Sequence, residues 1–169
     1  MKGFLEELLP RVLPAERDVV LVAHEGKADL EGSLPRKLRG WRSPNARFVV
    51  VRDQDSADCL VVKRRLAKIA SDAGRPDTIV RIACRELEAW LLGDIPTVSK
   101  IFGVPSIAGL ELKAKYRQPD SLGSPSRELK ILVPGYQKIS GARSIGRHIN
   151  LDTCGSHSFG VFVHTLKGL

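Results

Sequence analysis

Two aspartates two positions apart, Asp53 and Asp55, follow directly on the apolar run Phe48-Val49-Val50-Val51-Arg52. Residues i and i+2 leaving a strand can aim both carboxylates at one point. Carboxylates are hard oxygen donors. Magnesium commonly takes one or two of them and completes its shell with waters and substrate phosphates. The pair is therefore the first candidate metal site, for magnesium or manganese. Asp and Ser also start turns and cap helices, so capping of the next helix by Asp55 or Ser56 accounts for the same residues without a metal. Glu86 and Glu88 follow another apolar run, residues 78–84, and open a helix. Two positions along a helix turn it by about 200°, so the two glutamates do not share a face and one of them at most assists the aspartates. Complementing the helix dipole is their alternative role. His24-Glu25-Gly26-Lys27 ends a third apolar run. Lys27 and Arg52 are the candidate phosphate-binding cations, with a plain surface turn as the simpler account of residues 24–27.

Other chemistries find less support. Ser156-His157-Ser158-Phe159 lacks the Gly-x-Ser-x-Gly elbow of a serine nucleophile, and capping of the last helix is the expected role. His148, His157 and His164 include no i,i+4 pair, which argues against zinc. Neither a Walker loop nor a GxGxxG occurs. Cys59, Cys84 and Cys154 are odd in number and widely spaced, so neither a disulfide framework nor a CxxC metal site is expected. They read as buried or half-buried thiols of a reducing compartment.

The elements that must position these residues alternate. Residues 1–13 read as an amphipathic helix with Phe4, Leu5, Leu8, Leu9 and Val12 on one side. Residues 18–23 read as a buried strand, and residues 29–41 as a helix on Leu30, Leu34 and Leu38 that contains Pro35. Residues 47–52 are a second strand, 57–73 a long helix closed by Gly74, 78–84 a third strand, and 85–92 a helix ended by Gly93-Asp94-Ile95-Pro96. Continuously apolar strands alternating with helices predict an α/β fold: a mostly parallel sheet of about three to four strands with helices on both faces. In such sheets functional groups collect at the carboxyl ends of the strands. Residues 24–25, 53–55 and 86–88 all lie there. Prolines and glycines break up residues 104–137, and helices are expected over 140–149 and 156–166. The expectation is one domain over residues 1–169, with an α/β core over 1–100 and a loop-rich, helical extension over 101–169.

The chain carries a formal net charge of +8 and a pI of about 9.7. That balance favours a polyanionic partner, nucleic acid above all. Basic clusters lie at Arg36, Lys37, Arg39 and Arg42, at Lys63, Arg64, Arg65 and Lys68, and at Lys113, Lys115 and Arg117. Few aromatics interleave with them, so backbone-directed contact is expected rather than base stacking. No apolar run is long enough for a membrane span, and the N-terminus lacks a signal-peptide core. A cytoplasmic location is expected.

Longer blocks carry a family resemblance. His24-x-Gly26-Lys27-x-Asp29-Leu30, Leu34-Pro35-x-x-Leu38-Arg39-Gly40, Asp53-x-Asp55, Arg81-Ile82-Ala83-x-x-Glu86-Leu87-Glu88-Ala89-Trp90, Tyr116-Arg117-x-Pro119-Asp120 and Ser156-x-Ser158-Phe159 resemble the bacterial family called domain of unknown function 4276. The resemblance covers nearly the whole chain. That family is similar in outline to the Toprim fold of topoisomerases, primases and OLD-type nucleases. The resemblance implies a glutamate after a first strand as general acid or base, and a DxD after a third strand holding magnesium at a phosphodiester. Asp53 and Asp55 match the DxD. Glu25 departs from the pattern: the interval to Asp53 holds one helix and one strand, which puts Glu25 after the second Toprim strand. The first strand and its glutamate are then missing. Either they lie upstream of Met1 or this copy has lost them. An exposed sheet edge beside residues 18–23, open to pairing with a second copy, is the expected consequence.

The leading functional expectation is a Toprim-like, magnesium-dependent phosphodiester hydrolase, a nuclease, with Asp53 and Asp55 on the metal and Glu86 or Glu88 assisting. An ATPase partner in a defence system is what the resemblance to OLD-type proteins implies. Two rivals stand beside it: an inactive binding or regulatory module that keeps the acidic pocket, and a haloacid-dehalogenase-like phosphatase with Asp53 as nucleophile.

Overall fold

The computed structural model describes residues 1–169. The chain gathers into two compact units, Val22–Ile82 and a second formed by Met1–Leu21 with Ala83–Leu169.

The first unit is built on a strand–helix–strand crossover. Helix α1 (Lys2–Val12) belongs to the other unit. Helix α2 (Lys27–Gly40) opens this one, followed by β1 (Val49–Asp53), α3 (Cys59–Asp72) and β2 (Ile79–Ala83). β1 and β2 pair in parallel as a two-stranded sheet. The pairing starts where the Ile79 amide donates to the Phe48 carbonyl at 2.9 Å. β-branched residues make both strands, as their stiff side chains suit a pleated surface. Val50, Val80 and Ile82 point to one face, where Leu30, Leu34 and Leu38 of α2 and Val62, Leu66 and Ala70 of α3 cover them. α2 runs through Pro35 without a break. A mid-helix proline costs on the order of 3 kcal/mol, and burial of three leucines at about 2 kcal/mol each outweighs it.

The expected sheet of three to four strands is corrected to two. Residues 18–23, read as a buried strand, form no strand, and Val19, Val20 and Val22 are 46%, 62% and 49% exposed. β-branched composition favours an extended backbone, but a strand exists only where its N–H and C=O groups find a ladder. The sheet edge expected there is therefore not formed.

The second unit is helical. It comprises α1, α4 (Leu87–Leu92), α5 (Ile95–Phe102), α6 (Pro125–Leu132), α7 (Lys138–Gly146) and α8 (His157–Lys167), with three single 3₁₀ turns over residues 105–121. Trp90 is fully buried at its centre, stacked on Phe162 at 5.0 Å and tilted against Phe159 and Phe4 at 5.5 and 6.0 Å. Its indole N–H donates to Ser158 Oγ at 2.7 Å, so the one polar atom of the ring is satisfied. α1 packs on α7 through Gly146, where an added Cβ would sit 2.7 Å from the Phe4 carbonyl. Helix α5 is not expected from the sequence. Gly93-Asp94-Ile95-Pro96 reads as a stop, yet Asp94 accepts from the Thr97 amide and caps a new helix, with Pro96 in its first turn.

Leu66 is fully buried between α2, α3 and the sheet. Replacing it with alanine is expected to cost about 3 kcal/mol. Urea unfolding of Leu66→Ala checks this, and a loss below about 1 kcal/mol would contradict the core described.

Candidate functional site

β1 ends at Asp53, and strand alternation sends successive side chains to opposite faces. Arg52 therefore lies on the helix-covered side with Val50, and Asp53 on the other. Arg52 is nearly buried, its side chain 9% exposed. Its guanidinium reaches Glu31 of α2 at 2.9 Å and, through Nε, the Asp53 carbonyl at 3.2 Å. Glu31, 17% exposed, also pairs with Arg65 of α3. One carboxylate thus ties β1, α2 and α3 together. Glu31 is the residue that sequence reasoning missed: an acid inside an amphipathic helix gives no local sign that its partners come from a strand and another helix.

Past Asp53 the chain must turn back into α3. Gln54 Nε2 donates to the Ala57 carbonyl at 2.8 Å, and Asp55 sits at φ 58°, in the left-handed region. Asp is among the few non-glycine residues that tolerate this region, at a cost of roughly 1 kcal/mol. Asp58, rather than Asp55 or Ser56, caps α3, accepting from the Val61 amide at 2.9 Å. Asp55 is thus released from the capping role. Its carboxylate is 48% exposed, with Lys27 Nζ at 4.0 Å and an Arg52 guanidinium nitrogen at 3.9 Å. Lys27 arrives there because Gly26, at φ 97°, turns the chain into α2. Below it, His24 Nδ1 lies 3.2 Å from Asp29 and 3.1 Å from Ser33 Oγ. The Glu25 amide, seconded by His24, holds the Asp29 carboxyl below its ordinary range.

Four of the candidate residues thus belong to one region: Asp55, Lys27 and Arg52 meet directly, and Asp53 joins them along the chain and through its carbonyl. One oxygen of Asp53, Oδ1, is shielded from solvent. Glu86 and Glu88 lie in the helical unit. Glu86 occupies the N-cap position of α4, just before the helix it was expected to open, and accepts from the amide and hydroxyl of Ser126 at 2.7 and 3.0 Å. Glu88 is 3% exposed and has Lys138 Nζ at 3.6 Å. Burial beside Glu88 also raises the Tyr136 hydroxyl above its ordinary range, burial being the larger cause. Both glutamates thus have their polar partners within that unit.

No group of three or more His, Cys, Asp or Glu is arranged to hold a metal ion. The donors fit magnesium or manganese in kind, as two hard carboxylates. Asp55 is open, and its two cations stand beyond hydrogen-bonding distance. In number two carboxylates make no cage of their own, and an ion there would depend on waters and phosphate oxygens for the rest of its shell.

The remaining motifs are structural. Ser156 caps α8 as expected, accepting from the Phe159 amide at 3.2 Å, and Asp120 receives the Ser156 hydroxyl and the Ser158 amide at 2.6 and 2.7 Å. A carboxylate at a helix N-terminus is the favourable sign. The three cysteines are thiols rather than disulfides, and burial pushes the Cys154 thiol up to about 12. No helix is long and apolar enough to cross a membrane.

A family model described as "Domain of unknown function (DUF4276)" matches residues 1–167. No curated protein and no solved structure matches.

Two substitutions separate the scaffold from the loop. Glu31→Ala leaves Arg52 without its partner in a nearly dry position and is expected to cost about 3 kcal/mol of stability. Thermal or urea unfolding measures it. At Asp55, glycine accepts the left-handed backbone and alanine does not, so Asp55→Gly should be more stable than Asp55→Ala by about 1 kcal/mol. Equal stabilities would contradict the loop geometry.

Proposed function

We propose that this chain, which belongs to the DUF4276 family, is a magnesium-dependent phosphodiester hydrolase of Toprim-like kind whose working groups are Asp53 and Asp55. The observation that carries the reading is Asp55 itself. It is exposed, left-handed, relieved of capping duty, and set between Lys27 and Arg52 just past the strand that ends in Asp53.

Asp53 and Asp55 would hold the ion. A bound magnesium supplies charge stabilisation for the phosphoryl oxygens and lowers the pKa of an attacking water. Arg52, pinned by Glu31 and the Asp53 carbonyl, keeps a fixed positive charge beside the loop. Lys27 is 64% exposed at its side chain and swings on a flexible stem, so it can exchange Asp55 for an incoming phosphate oxygen. Glu86 and Glu88 have no step in this reading, since each is committed to a partner in the helical unit.

A second reading is a phosphate-binding module without turnover. Two cations already balance Asp55, and no third acid joins the pair. Calorimetry with magnesium and manganese, run beside a plasmid-nicking assay, separates the two. The hydrolase reading expects metal binding and nicking by the wild-type chain, with binding weakened at least about tenfold in Asp53→Asn, the loss of one charged ligand being worth over 1.4 kcal/mol. Metal binding without nicking supports the second reading. An aspartyl-phosphate trapped at Asp53 would make that residue a nucleophile instead. Absence of metal binding in the wild type overturns the proposal.

A further inference from the structure

The outward side of α2 and α3 carries cations that the acidic loop does not use. By helical period, Arg36 and Arg39 lie on the side of α2 away from Leu30, Leu34 and Leu38. Arg64 and Lys68 lie on the side of α3 away from Val62, Leu66 and Ala70. These four and Lys63 are all exposed. On these helices Arg65 is committed to Glu31 and Lys68 to Asp72. The charges of Arg36, Arg39 and Lys63 are left to meet a partner, and Arg64 spends only its Nε, on the Leu60 carbonyl at 3.3 Å.

The two helices run side by side in the same direction. Lys27 at the start of α2 meets Asp55 just before α3, Glu31 meets Arg65 farther along, and the Trp41 carbonyl after α2 accepts from Arg75 after α3. Helices so packed lie about 8–10 Å apart. Each has 14 residues, a length of about 21 Å. One strand of a duplex carries a phosphate about every 3.4 Å along its axis and turns once in about 34 Å, so the phosphates over this length wind through more than half a turn and only part of them, roughly three, lie against such a face. Guanidinium groups suit phosphate oxygens in geometry as well as charge.

We infer that the outward face of α2 and α3 is a track for the phosphate backbone of a nucleic acid, leading away from the Asp53–Asp55 loop at which both helices begin. The track deepens the proposed phosphodiester chemistry and rests on it for the identity of the polyanion. The contact is with the backbone and independent of sequence. Trp41, the aromatic nearest this face in the chain, is half-buried edge-on to Phe48 with ring centres 6.0 Å apart, and offers no stacking platform. The exposed aliphatics at the head of α3, Leu60 and Val61, are too few to seat the helix in a bilayer.

The test is fluorescence anisotropy of the full chain with a short labelled DNA duplex, in EDTA and over a series of salt concentrations. Anionic phosphatidylserine vesicles and polyglutamate serve as competitors. Wild-type affinity is expected to fall steeply with salt. The double variant Arg36→Gln/Arg64→Gln should bind about tenfold or more weakly at low salt, with the salt slope reduced by about 2, near 0.9 for each phosphate that is no longer neutralised. Its circular dichroism melting curve should match the wild type, because both side chains are exposed. An unchanged affinity and slope in the double variant overturns the track, as does binding to vesicles or polyglutamate with none to DNA. Neither result touches metal binding at the loop, and failure of metal binding leaves this measurement standing.

Discussion

The buried ion network centred on Glu31 is the constraint on which the site depends. Arg52 leaves β1 into a space that α2 and α3 roof over, and a guanidinium held there at 9% exposure needs a carboxylate. Glu31 supplies it and takes Arg65 from the third element at the same time. Such a network adds little net stability over an apolar core of the same shape, but removing one member is costly. That asymmetry gives it a positional role. It fixes the end of β1 relative to two helix starts, and so fixes where Asp53 and Asp55 leave the sheet.

The loop beyond that anchor combines strain with exposure. A left-handed aspartate is held in place by Arg52 and Lys27 at about 4 Å, in water, where each attraction is weak. Asp58 caps α3, so helix capping does not account for the acid at position 55. A non-glycine residue past β2, Arg85, also has a positive φ, 63°, so each strand is followed two residues later by a left-handed turn. Backbone of this kind persists only where the surroundings determine it, and it gathers at sites that do chemistry.

Much of this was legible in the sequence, for identifiable reasons. Helix positions follow from leucines four apart, and β1 and β2 from short valine and isoleucine runs between turn residues. Asp53, Asp55, Lys27 and Arg52 stand out because each follows or ends such a run. Residues 18–23 have the same composition and make no strand, because composition cannot supply the neighbour a strand must pair with. Helix α5 hides behind its predecessor's stop: Gly93 closes α4 as read, and Asp94 and Pro96 directly start a new helix. Glu86 and Glu88 look like site residues by position in the chain. Their partners, Ser126 and Lys138, are some 40 to 50 residues away, beyond any local pattern. Glu31 escapes notice for the same reason.

The central claim is that a divalent cation seats at Asp53 and Asp55. Paramagnetic broadening by manganese in the amide spectrum of the uniformly ¹⁵N-labelled chain addresses it at residue resolution. The account predicts that sub-stoichiometric manganese first erases the amide signals of residues 53–57 and of Lys27, and that Asp53→Asn restores them. Signals that survive there, or that vanish first around Glu88 or Glu128 instead, would contradict it.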